Sequence, residues 1–166
     1  MKKFGMLFFL CVLFSVLDNT LVPFFAIRGY FPSLLFIFII FYSINNGSWE
    51  GVWLGAFSGF LQDLYFFNGF GINSFINILL CAAAGFIGIG IFKEKRLIPV
   101  FSGLILTLVK GVLVFSILYI TKVYSPFADI LYNSIYGMVV SIFMYKPIYR
   151  LCQKEYMQRK WSFYER

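Results

Sequence analysis

Histidine is absent from the 166 residues, and only 13% of them are charged. Without imidazole there is no His-based general acid or base, and no zinc site built on histidine. Acids are scarce as well: seven Asp and Glu stand against fourteen Lys and Arg, a formal net charge of +7. The three cysteines, Cys11, Cys81 and Cys152, form no C-x-x-C pair. Cys11 and Cys81 fall in apolar runs and Cys152 in a basic stretch, so no disulfide framework is expected. No phosphate-cradling G-x-x-x-x-G-K-[ST], no H-E-x-x-H and no Ser/His/Asp set occurs. These absences point away from an enzyme, a resident metal or a cofactor.

What the chain does contain is hydrocarbon. It is 61% hydrophobic and 22% aromatic, with 23 Phe, 11 Tyr and 3 Trp. Soluble domains are about 45–50% apolar and about 25% charged. So little polar surface cannot cover a water-facing globule, which excludes a soluble enzyme and, despite the net charge, a nucleic-acid partner. The expected fold is an all-α integral membrane protein.

Six transmembrane helices are predicted, at about 4–25, 31–46, 49–67, 72–92, 98–121 and 127–145. They form one domain over 1–145, followed by a tail over 146–166. Lys2-Lys3 precedes the first apolar run, but no A-x-A-like cleavage site follows and Leu10 stands before Cys11. The first span is therefore expected to be retained. Pro99 and Pro126 fall at helix starts, where a missing N–H costs nothing, and Pro147 is expected to end the sixth helix. The apolar part of the second span, Phe31 to Ile44, covers only about 21 Å. It is expected to borrow Asn45 and Asn46, or to tilt and thin the bilayer.

Orientation follows from where the basic residues lie. With the N-terminus inside, eleven Lys and Arg fall on the cytoplasmic side, Arg28 and Lys122 fall outside, and Lys110 lies within the membrane. This bias places both termini in the cytoplasm.

The clearest pattern is Gly47, Gly51, Gly55 and Gly59, spaced by four along the third span. Stripes of the same period recur as Asn73, Asn77, Cys81 and Gly85; as Gly103, Thr107 and Gly111; and as Asp129, Asn133, Gly137 and Ser141. Faces stripped of side chains let another backbone approach closely. Packing within the chain, contact with another membrane protein and a ligand path all remain open readings.

Asp18, Asp63 and Lys110 are charges at membrane depth. Each costs roughly 2.5–3.5 kcal/mol at a helix centre on insertion scales, so a partner or an aqueous cavity is expected. Lys110 is expected to pair with Asp63 or Asp18, unless it snorkels while the carboxylates face outer water. In the tail, Lys146, Arg150 and Lys154 share a helical face beside interfacial Tyr149, Tyr156, Trp161, Phe163 and Tyr164. This reads as a basic amphipathic helix meeting anionic lipids, or as a solvated topogenic tail.

The order of these features resembles the bacterial rod shape-determining protein MreD family. The matching residues are Asp18-Asn19-Thr20-Leu21 with Pro23, then Pro32-Ser33-Leu34-Leu35. The glycine ladder follows, leading into Gly59-Phe60-Leu61-Gln62-Asp63-Leu64, then Phe70-Gly71-Ile72-Asn73 and Gly85. The resemblance implies a non-catalytic scaffold of the cell-elongation machinery in the inner membrane. It further implies association with the bitopic MreC and, through it, with MreB filaments and the synthase of lateral peptidoglycan. The resemblance assigns no role to Lys110, whose reading rests on the charge argument alone.

A different class is the substrate-binding component of an energy-coupling-factor vitamin transporter, which has six spans and a related fold. The small-residue pair such components carry on the first helix is missing here. Such a component carries a polar pocket near the outer face, and Asp18, Asp63 and Asn73 could line one; an outer-side pocket of several hundred Å³ would favour that reading, and an empty collapsed interior the scaffold.

Overall fold

In a bilayer no water satisfies a peptide group, so an apolar run must bond its own backbone, and the helix does this locally. The structure, a computed structural model, describes residues 2–26, 31–65, 71–91, 97–120, 122, 128–155 and 157. Within them lie six α-helices: α1 (Lys2–Thr20), α2 (Leu34–Asn46), α3 (Ser48–Asp63), α4 (Ile72–Gly90), α5 (Leu97–Ile120) and α6 (Ala128–Cys152). A 3-10 turn, Val22–Phe25, follows α1 and contains Pro23. Among the described residues three stretches are long and apolar enough to cross a membrane, Lys3–Thr20, Ile72–Gly90 and Leu97–Ile120.

The second helix takes in Asn45 and Asn46, as expected, and still has only thirteen residues. Every residue from Leu35 to Ile44 is buried, and α2 packs against all five other helices. A helix that is apolar on every side is one enclosed by protein. Its thirteen residues need not match the hydrocarbon thickness, because its neighbours present the lipid-facing surface. That surface carries exposed Phe4, Phe24, Phe86, Ile89, Leu97 and Phe143, which would be a liability in water and suits acyl chains.

Contacts at one end of the bundle show that α1 to α4 alternate in direction and that α6 runs the same way as α2 and α4. At one end Lys3 Nζ, near the start of α1, bonds Glu50 Oε1 at 2.7 Å, near the start of α3. The other Glu50 oxygen accepts from Tyr42 Oη at 2.6 Å, near the end of α2. Gly88, late in α4, lies on the Ile44 backbone. Tyr145, late in α6, sets its ring edge-on to Phe41 with centroids 5.1 Å apart. The start of α1 and the end of α6 therefore share one end of the bundle.

Pro147 does not end the sixth helix as expected. It lies inside α6, which runs on to Cys152. Proline removes the hydrogen bond to the Phe143 carbonyl. Beyond it, however, Ile148 and Cys152 are buried in the common core and hold the last turns in place. Lys146, Arg150 and Lys154 are exposed on the opposite face. Lys146 and Arg150 belong to α6 itself, and Lys154 lies in the turn just beyond its last residue, Cys152. Trp161, Phe163, Tyr164 and Tyr156 lie outside the described residues, as does the side chain of Asp129.

Candidate functional site

The glycines of α3 and the small residues of α4 meet each other, in reverse order and one turn per step. A Cβ on Gly51 would strike Ser43 and crowd the Cys81 carbonyl, one on Gly55 would strike the Asn77 carbonyl, and one on Gly59 the Ser74 backbone. From the α4 side, Gly85 lies on the backbone of Gly47 and Ser48. Gly47 itself departs from the ladder reading. It sits between α2 and α3 with φ of 100°, and a Cβ there would meet nothing within 4 Å. Its requirement is conformational: the left-handed half of backbone space, which glycine enters without steric cost. Gly137 stands in ordinary contact range of Thr107 and Pro32.

This close approach of α3 to α4 positions the first carboxylate. Gly71, with φ of 96°, turns the chain into α4. Asp63 Oδ1 then accepts from Asn73 N at 3.0 Å, and Oδ2 accepts from Ser74 N at 3.0 Å and Ser74 Oγ at 2.7 Å. Asp18 serves the start of α2 in the same way. Its Oδ1 accepts from Leu34 N at 2.7 Å, and Oδ2 accepts from Leu35 N at 3.1 Å and Ser33 Oγ at 2.8 Å. The first N–H groups of a helix have no partner within it, and anions are favoured at that end. Each membrane-depth carboxylate therefore caps the start of the next helix.

The expected ion pair between Lys110 and Asp63 or Asp18 is not formed. Both carboxylates are occupied by backbone N–H and serine hydroxyl groups. Lys110 Nζ instead donates to Gln62 Oε1 at 2.9 Å and lies 4.2 Å from the centre of the Phe36 ring. Gln62 Oε1 also accepts from Asn77 Nδ2 at 3.0 Å, and Gln62 Nε2 donates to Ser33 Oγ at 2.9 Å. Ser33 Oγ accepts from Phe36 N at 3.1 Å as well, while its own proton goes to Asp18.

The direction of this chain follows from donor and acceptor counts. A protonated lysine can only donate, so the Gln62 oxygen must face it and the amide N–H must face Ser33. Ser33 then has both lone pairs engaged, and its hydroxyl proton is left for Asp18. Lys110 on α5, Asn77 on α4, Gln62 on α3, Ser33 before α2 and Asp18 on α1 thus form one connected network. Sequence reasoning singled out neither Gln62 nor Ser33 for a role. The signal was there only as neighbours, one beside Asp63 and the other at the N-cap position before an apolar run.

Beside this network lies a cavity of about 330 Å³. It opens between α2, α5 and α6 at the end of the bundle where α2 begins. Ser33, Asn73, Lys110 and Asn133 are on its wall, together with Phe31 and Phe115. Asp18 and Asp63 do not line it. Among the described residues there is no cluster of His, Cys, Asp and Glu that could hold a metal ion.

No curated protein and no solved structure matches this chain. The family model for the rod shape-determining protein MreD matches residues 1–155. That stretch holds both capping carboxylates, the Gly51-to-Gly59 face and the Gln62 hub, and with nearly the whole length matched the chain belongs to the MreD family.

Proposed function

We propose that this chain is a non-catalytic, multi-pass scaffold of the bacterial cytoplasmic membrane. It associates with an MreC-like bitopic protein and, through it, with MreB filaments and the synthase of lateral peptidoglycan. Family membership carries the shape-determining role. The scaffold reading rests on one structural observation: polar groups from five regions of the chain are turned on one another. A network closed in this way ties helices together and leaves apolar outer faces for lipid or for a partner helix. Eleven basic residues on one side against two on the other support six spans with both termini cytoplasmic. Exposed Lys146, Arg150 and Lys154 would then lie against anionic headgroups.

Affinity purification from membranes, followed by partner identification, tests this directly. Recovery of the MreC-like protein, with rounding of rod-shaped cells on depletion, is the expected outcome. Vitamin auxotrophy without a shape change would overturn it.

A further inference from the structure

The cavity between α2, α5 and α6 has chemistry that a scaffold does not require. Lys110 is on its wall, and no carboxylate lies within 4 Å of the ammonium among the described residues. Asp18 and Asp63, the two acids at comparable depth, spend their oxygens on helix starts. Of the three ammonium donors, Gln62 Oε1 takes one. Phe36 offers its ring face, which attracts a cation without neutralising it. A cation at membrane depth is normally paired; Asp18 and Asp63 act on Lys110 only from beyond ion-pair distance, and two of its ammonium donors have no acceptor among the described residues. The remaining walls, Phe31, Val114, Phe115 and Leu118, are apolar.

We propose that this cavity is a binding site for a small amphipathic anion, whose acidic group pairs with Lys110 and whose body lies against the Phe31, Phe115 and Leu118 wall. Size limits the class. At about 30 Å³ per water-sized group, 330 Å³ holds on the order of ten non-hydrogen atoms. A whole lipid or a partner helix does not fit. A free aryl or short alkyl carboxylate does, and so does the acidic part of an anionic lipid reaching in. These share one chemistry and differ in source.

The full chain, purified in an uncharged detergent, is titrated with 3-phenylpropionate and with its neutral counterpart 3-phenylpropanamide. Calorimetry and thermal unfolding read the binding. Saturable binding of the carboxylate, at least tenfold weaker for the amide and for Lys110→Met, is expected. Gly137→Leu keeps Lys110 and fills the space, since a Cβ there sits at ordinary contact distance, 3.7 Å from the Thr107 methyl. It should abolish binding without removing the charge, which covers the case in which Lys110→Met fails to fold. No saturable binding to the unmodified chain, equal binding of the amide, or undiminished binding to Gly137→Leu would each overturn the proposal. Repeating the titration in phosphatidylcholine discs with and without phosphatidylglycerol separates the sources. Competition by the anionic lipid assigns the site to a membrane anion, and its absence assigns it to a dissolved one.

Discussion

At the scale of single residues, the polar groups in this membrane protein are there to finish hydrogen bonding that lipid cannot. Asp63 satisfies two backbone N–H groups and a hydroxyl at the start of α4. Leaving a buried donor unpaired costs about 1–3 kcal/mol. Asp63→Ala is therefore expected to lower stability by roughly 2 kcal/mol or more, and Asp63→Asn, which keeps one acceptor oxygen, by about half as much. Denaturant titration of the detergent-purified chain, followed by circular dichroism, measures both. A loss no larger than that of an exposed substitution would show that the cap carries no load.

Gln62 is a hub and should behave as one. Its amide meets Ser33, Asn77 and Lys110 at once. Gln62→Leu strands all three, whereas Lys110→Met removes only one member. Their effects should be non-additive by about 0.5–3 kcal/mol in a double-mutant cycle. Additive losses would mean that the network is a set of independent bonds.

At the scale of elements, glycine placement decides which helices touch. Gly59 and Gly88 leave no room for a methyl group, because the atoms in the way belong to the backbones of Ser74 and Ile44. Gly5 and Gly90 have nothing within 4 Å. Alanine at Gly59 or Gly88 must push two helices apart and is expected to cost about 2 kcal/mol or more. Alanine at Gly5 should be neutral or stabilise by up to about 1 kcal/mol through helix propensity. Folded yield and thermal unfolding of the three variants would sort them. A uniform response would remove close packing as the explanation.

The same reasoning separates the central helix from the rest. Ile39 is fully buried in α2, whereas Phe143 on α6 is largely exposed. Ile39→Ala should cost about 2–5 kcal/mol and Phe143→Ala far less, since lipid fills the space the ring leaves. Spacing in the sequence groups Gly51, Gly55 and Gly59 on one side of α3, the side that meets α4. It could not tell that Gly47 stands outside them, because a capping glycine and a packing glycine look alike until the backbone angle is known.

At the scale of the whole molecule, the two ends of the bundle differ in kind. The end holding Lys3, Glu50 and Tyr42 is closed by a small charged cluster. The opposite end holds both capped helix starts and the cavity. If the first end is cytoplasmic, Lys122→Cys should react with an impermeant thiol reagent added to spheroplasts, and Lys154→Cys only after lysis. The native cysteines Cys11, Cys81 and Cys152 are buried and give little background. The reverse labelling pattern would invert the orientation read from basic residues.

Composition alone decided that this chain lives in lipid, because hydrophobic surface on this scale has no stable place in water. The apolar runs pointed to six helices and roughly where they lie, since a backbone in hydrocarbon has to bond to itself, and six lie among the described residues. Neither could say which group each polar residue satisfies. A carboxylate at membrane depth can meet an ammonium or a helix start equally well on paper. Only the antiparallel approach of α3 to α4, and the enclosure of α2 by its five neighbours, brought the N–H groups to Asp63 and Asp18 and left Lys110 to Gln62. Partner choice depends on distances across elements far apart in the chain, and those exist only once the helices have packed.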